Sequence, residues 1–333
     1  MKKNLIILAC LFSLMACNKS SRFKIDTDQN RVEVHIKRFD KSVLTLDTTN
    51  TQVSVEKLFR QYPEFMTVFA TEVLNSNPQD KAAIASQFKQ YLSDKTYAKA
   101  NQKTLELYSK VDDIELKVSD AFTYIHHYFP EVKLPEVYFF VSGFNRAVMM
   151  NQHFVGIGTD YYLGNDFPLY KNLTYNYMLN NMKKENLTPD LVSVVLFRMF
   201  VMNGSENRLL DNMLFRGKIF YLMSVFMPDE KPENIIGYSP EQWKWSKQYE
   251  KDIWTAIMDK KDLFSTDVML INKYMNDAPF TAPISQQSPG RLGAFIGWQI
   301  ISSYMEKNSQ LSLKQLMDEQ DYQKILEQSG YHP

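Results

Sequence analysis

The chain has 333 residues, 44% hydrophobic and 14% aromatic, enough to bury a sizeable core in one large domain or two small ones. Its 38 basic and 38 acidic residues cancel, so no overall field draws in nucleic acid or an anionic membrane surface, and net charge argues against both partners.

In chain order, Lys2 and Lys3 followed by the apolar run Asn4 to Leu14 read as a signal peptide, too short to span a membrane. It closes in Leu14-Met15-Ala16-Cys17, which resembles the lipobox of bacterial lipoproteins, so that residues 1–16 would be removed and Cys17 would carry the acyl chains. Cys10 and Cys17 are the two cysteines of the chain, and the expected mature protein therefore has no thiol for a disulfide, a metal site or nucleophilic catalysis. Residues 17–31 read as the lipidated N-terminus and its polar tether, and 32–333 as a single domain.

Val32, Val34 and Ile36 alternate with Glu33, His35 and Lys37 at the period of a half-buried strand. From Val53 to about Val111 the pattern is helical, with breaks at Pro63 and at Asn75-Ser76-Asn77-Pro78, where Asn77 is placed to cap and Pro78 to open the next helix. A further helix from about Ile114 to Phe129 carries His126 and His127, which point about 100° apart and do not share a metal unaided. A small sheet begins at Val137–Val141 and continues in the extended run Ala147–Ile157. The loop Thr159–Gly164 follows, with Asp160 and Tyr161 as the first aligned polar groups able to meet a ligand.

Thr188–Pro228 reads as two buried helices. The first, Leu191–Met202, is apolar on every side except at Ser193 and Arg198; the second runs from about Glu206 to Met227 and carries Asp211 and Arg216. Arginines in such surroundings require partners, and Asp211, Asp160 or the carboxylates of a bound chain are the candidates. Ser239 with Gln242 and Ser312 with Gln315 form capping boxes. The proline-rich loop Asn276–Gly290 presents Gln286 and Gln287, and Arg291 follows it. Gly293 and Gly297 allow the next helix to approach another element closely.

No Gly-rich phosphate loop, nucleophile elbow or cysteine cluster is present. The order of elements, a short mixed sheet, a buried helix and a second helix, is the plan of zincin metallopeptidases, yet no histidine lies between His153 and His332 and no His-Glu-x-x-His exists. The expected fold class is therefore α+β, predominantly helical with a small mixed sheet, a zincin-like core without metal ligands. No cofactor and no catalytic residue is assigned.

The lipobox, Arg38-Phe39-Asp40, Tyr62-Pro63-Glu64-Phe65, Tyr128-Phe129-Pro130, Gly156–Gly164, Asp211–Lys218, Ile236-Gly237-Tyr238, Ala278–Thr281, Ser288–Gly293 and Ser329–Pro333 together give a chain that resembles the gliding-motility lipoprotein GldB family of Bacteroidota. The resemblance implies a lipoprotein of the cell envelope, associated with gliding and its secretion machinery and without known enzymatic activity. Joined to the residues, it yields a lipid-anchored, periplasm-facing, non-catalytic module that holds an envelope protein or peptide in a cleft. The alternatives are a zincin-like metallopeptidase with displaced ligands or another hydrolase, using Asp160 or His153, and a glycan- or nutrient-binding lipoprotein using Trp243 or Trp298.

Overall fold

The computed structural model describes residues 21–202 and 207–333. The expected signal peptide and the Cys17 lipidation site lie outside the described residues. From Ser21 onward the chain is already part of the body: Phe23 is buried edge-on against Tyr128, whose hydroxyl donates to the Phe23 carbonyl. The tether expected over residues 17–31 therefore stops short of Ser21.

The alternating run Val32–Ile36 is extended, but its partner is a helix. Helix α6 (Asp112–Tyr128) presents Thr123, Ser119 and Glu115, four residues apart, and these accept the backbone N–H groups of Val32, Val34 and Ile36 at 2.9, 3.0 and 2.7 Å. Two strand residues advance about 6.7 Å and four helix residues about 6 Å, so the two periods match. Only Lys37–Arg38 (β1) reaches the sheet, parallel to β2 (Glu136–Phe140). The run Ala147–Ile157 is a hairpin rather than one strand. β3 (Val148–Met150) turns at Asn151, whose side chain accepts from the N–H of His153 and Phe154, and returns as β4 (Phe154–Gly158). The order is β1-β2-β4-β3, with β3 antiparallel at the edge. The fold is α+β, mostly helical around a small mixed sheet.

Helical layers cover both faces of the sheet. On one, α1 (Phe39–Leu44), α2 (Thr51–Gln61), α3 (Pro63–Glu72) and α4 (Lys81–Ser93) enclose an aromatic core with Tyr138, Phe140 and Phe154. Phe65 stacks on Tyr138 at 4.2 Å, in space that a side chain at Gly156 would fill. Pro63 opens α3, but α4 is capped by Asp80, while Asn77 forms a turn onto the Gln79 N–H. Buried Asp40 is forked by Arg38 through two bonds of 2.8 Å. Helix α5 (Lys95–Leu107) leads to α6.

The other face carries Val137, Phe139, Val155 and Ile157 into the larger core, with α6, α8 (Lys184–Met199), α9 (Leu209–Phe226) and α14 (Leu292–Lys307). The short α7 (Tyr170–Leu173) precedes α8. Helices α8 and α9, the two buried helices expected within Thr188–Pro228, stop short of the expected bounds at their facing ends, and residues 203–206 between them lie outside the described residues. Helices α10 (Pro232–Ile236), α11 (Pro240–Gln248), α12 (Glu250–Asp259) and α13 (Val268–Met275) connect α9 to α14, and α15 (Leu313–Asp318) and α16 (Tyr322–Ser329) complete the chain. Both expected capping boxes are formed. Trp298 is buried, with Trp243 packed 5.6 Å from it, so these aromatics belong to the core.

Helices α9 and α14 cross backbone against backbone. A Cβ on Gly297 would lie 1.8 Å from the Met213 carbonyl oxygen, and one on Gly217 would lie 2.3 Å from the Gly297 oxygen. Gly297→Ala is expected to lower stability by about 3 kcal/mol or more, because neither backbone can move aside. Urea denaturation of the purified variant measures this; an unchanged midpoint would show that the crossing tolerates separation.

Candidate functional site

The loop Thr159–Gly164 is held by its neighbours' hydroxyl groups. Tyr108 donates to the Tyr162 carbonyl at 2.9 Å, Tyr170 donates to the Asp160 carbonyl at 2.7 Å and accepts from the Leu163 N–H at 2.9 Å, and Tyr161 donates to the Phe144 carbonyl at 2.6 Å. Asp160 is buried beneath this loop. Gly143 and Phe144 both have positive φ, 66° and 65°, which turns successive N–H groups inward, and the Asp160 carboxylate accepts those of Ser142 and Phe144 at 3.0 and 2.9 Å. This is an anion nest filled by the protein's own carboxylate. Burial raises the Asp160 pKa to about 6 against the opposing pull of the backbone N–H groups. Asp160 fixes the turn through Oδ2, and its Oδ1 is buried without a hydrogen-bond partner among the described residues.

Beyond Tyr161 and Tyr162 lies a cavity of about 220 Å³, walled by Asp190 from α8, Asn181 and Met178 from the preceding loop, and Asp277 and Arg291 from the two ends of the proline-rich loop. Tyr162 donates to Asp190 Oδ2 at 2.8 Å, and the other Asp190 oxygen has no hydrogen-bond partner among the described residues. Arg291 has positive φ, 58°, at the start of α14; its Nε meets Asp277 at 3.0 Å and its Nη2 donates to the Gly237 carbonyl at 3.1 Å. A non-glycine residue in this conformation is strained and persists here because both ends of its guanidinium are held. Burial pushes the Asp190 carboxyl up to about 6, while Tyr162 and Arg291 pull it down and Asp277 adds to the rise.

The sequence candidates separate. Tyr161 and Arg291 line the cavity. Arg216 is not in its wall, but feels Arg291 and Asp277 across the core; it lies over the Phe197 ring at 4.6 Å, and burial brings its pKa down to about 10. Arg198 donates to the carbonyls of Asn151 and Lys133 at 2.8 and 3.1 Å, fastening the end of α8 to the hairpin. Neither arginine pairs with Asp160 or Asp211, contrary to expectation: Asp211 binds Arg208 at the start of α9, and Asp160 is taken by its nest. Gln286 and Gln287 are exposed at the loop tip, because Thr281 at its base is pinned to Ser288 and Pro289 and turns the tip away.

Sequence reading missed Asp190, Asp277 and Tyr162. A polar residue just before an apolar run reads as a cap, and nothing local tells Asp190 from one. Lys218 was missed too. It is the most buried cation of α9; burial lowers its pKa to about 8, and it donates to the Glu319 carbonyl at the end of α15, a helix-terminus contact. Among the described residues no group of three or more His, Cys, Asp or Glu is placed to hold a metal ion. His126, His127, His35 and His332 are exposed, and His153 pairs with Glu64 at 2.8 Å.

A raised carboxyl pKa carries a defined pH signature. Asp190 costs nothing extra below about pH 4, where folded and unfolded forms are both protonated, and its burial penalty grows as the pH rises through 6. Asp190→Asn is expected to be more stable than wild type at pH 8 by up to about 3 kcal/mol, less whatever solvent in the cavity recovers, with the difference vanishing near pH 4. Melting curves of both proteins from pH 4 to 8 test the sign; a variant that is less stable at pH 8 would place Asp190 in a favourable ion pair instead.

Neither the curated proteins nor the solved structures include a match to this chain. A family model described as gliding motility protein GldB matches residues 20–333. With that match spanning the whole of the described body, from the segment docked on α6 to the end of α16, the chain belongs to the gliding motility protein GldB family.

Proposed function

We propose that the protein is a lipid-anchored envelope component of the gliding apparatus that acts by holding a protein partner rather than by catalysis, tethered at Cys17 and facing the periplasm. Family membership supports the gliding role and the envelope location. The observation that carries the anchored, contact-making reading is the position at which the body begins. Phe23 is buried, and the chain is bound to α6 from Ile25 onward, where the Ile25 N–H donates to the Tyr124 hydroxyl. Only residues 18–20 separate Cys17 from Ser21, a reach of at most about 14 Å. A lipid at Cys17 would hold the body close to the bilayer in a restricted orientation, which suits a part of a machine better than a freely roaming enzyme. No helix among the described residues is long and apolar enough to cross a membrane.

The order of sheet, α8 and α9 is the basis for reading the core as zincin-like without its ligands. On this reading, Asp190 rather than an imidazole is the α8 group that reaches the cavity. The test is fractionation and in-cell crosslinking of three forms. Wild type is expected in the membrane fraction with a defined set of crosslinked envelope proteins, and Cys17→Ser is expected to lose both. A form with about ten Gly/Ser residues inserted before Ser21 is expected to stay on the membrane but lose crosslinks, since flexible linkers relax both distance and orientation. Membrane retention of Cys17→Ser would overturn the anchor, and unchanged crosslinks with the long tether would overturn the restricted placement.

A further inference from the structure

The cavity between Tyr162 and the ends of the proline-rich loop has a charge balance that defines what enters it. Its walls hold Asp190, Asp277 and Arg291. The Arg291 charge is committed: its guanidinium is bound to Asp277 at 3.0 Å and to the Gly237 carbonyl at 3.1 Å, and its Nη2 lies in space that a side chain at Gly237 would fill. That leaves one net negative charge, on Asp190. One Asp190 oxygen accepts from Tyr162, and the other is without a hydrogen-bond partner among the described residues. An ionised carboxylate with an unused oxygen in a confined, partly apolar space is under-solvated, and a cation brought to it regains that lost solvation. The remaining wall is neutral, with Asn181 offering an amide and Met178 and Tyr161 offering apolar and aromatic surface. Such a lining suits an alkyl stem ending in a donor.

We propose that this cavity is a binding site for a single primary ammonium or guanidinium group on a flexible alkyl stem, presented as a lysine or arginine side chain of a partner protein. Asp190 receives the charged head, Tyr162 fixes the carboxylate, and the Met178 side covers the stem. A divalent metal is a poor occupant, because the fixed Arg291 guanidinium stands in the same wall. The inference deepens the partner-holding reading given above and does not involve the anchor.

The probe is acetyl-lysine amide, titrated calorimetrically into the mature full-length protein in detergent, with acetyl-norleucine amide, n-butylamine and a methyl glycoside in parallel. Acetyl-lysine amide and its arginine counterpart are expected to bind at pH 7.5 and to weaken about tenfold at pH 5, as Asp190 takes up a proton between the facing Arg291 and Asp277. Asp190→Asn is expected to lose at least tenfold in affinity while retaining its melting transition. Asp277→Asn, which releases the Arg291 charge into the cavity, is expected to weaken binding as well. Equal binding of the norleucine analogue, undiminished binding by Asp190→Asn, or preferential binding of the glycoside would overturn the cation site. Butylamine binding as tightly as the lysine amide would leave the cation site standing and overturn the protein-borne source, which separates the two readings.

Discussion

The structure depends on the crossing of α9 and α14, where two glycines let one backbone rest on the other. Neither helix has a polar face to guide it, since both are apolar nearly all round, and burial alone does not choose a register for such a pair. The glycines choose it: Gly297 sits against Met213, and Gly217 sits against Gly297 and Trp298. With that contact fixed, the first residue before α14, Arg291, and the residue before Gly217, Arg216, have set positions. The cavity is therefore a consequence of helix packing some distance away.

Fixing those positions sets Asp190 and Arg216 around the middle pair, Arg291 and Asp277, and each of the two outer groups feels both members of that pair. Only the middle pair is in contact. The outer members are held by weaker means, Asp190 by a tyrosine hydroxyl and Arg216 by an aromatic face. A contact pair satisfies both of its members, whereas an outer member retains part of its desolvation cost. For Arg216 that cost is lessened by Phe197 and by the attraction of Asp277. For Asp190 it falls on an open cavity.

The parts of the fold carried by local pattern were legible. Pro63, the two serine capping boxes, the β2 run and the close-approach glycines act through their nearest neighbours or through simple absence of bulk. Where a residue's partner lies far along the chain, the pattern misled. Val32–Ile36 alternates as a strand should, but it spends its N–H groups on three side chains of α6 some eighty to ninety residues later. Arg198 and Arg216 announced a need for partners without saying which, and carbonyl oxygens and a ring met that need in place of carboxylates. Asp277 and Asp190 carry no mark at all in the sequence, because their significance lies in facing each other across a space that α8, α14 and two loops enclose jointly.

That space is also prepared in advance, and the preparation reaches back to the buried Asp160. Its nest sets the Ser142–Phe144 turn, the Phe144 carbonyl receives the Tyr161 hydroxyl, and the Asp160 carbonyl receives that of Tyr170. Tyr162, between them, is held through its carbonyl by Tyr108 and presents its hydroxyl to Asp190. The wall thus has its bonds made before anything binds, and a ligand entering it orders little that is not already ordered. Nest and cavity each contain a carboxylate whose pKa is raised towards 6, but for opposite ends. Asp160 is enclosed, one oxygen held by backbone donors that fix a turn and the other buried without a partner among the described residues, whereas Asp190 lines a cavity, so the same desolvation that serves only the fold in one place becomes a source of binding energy in the other.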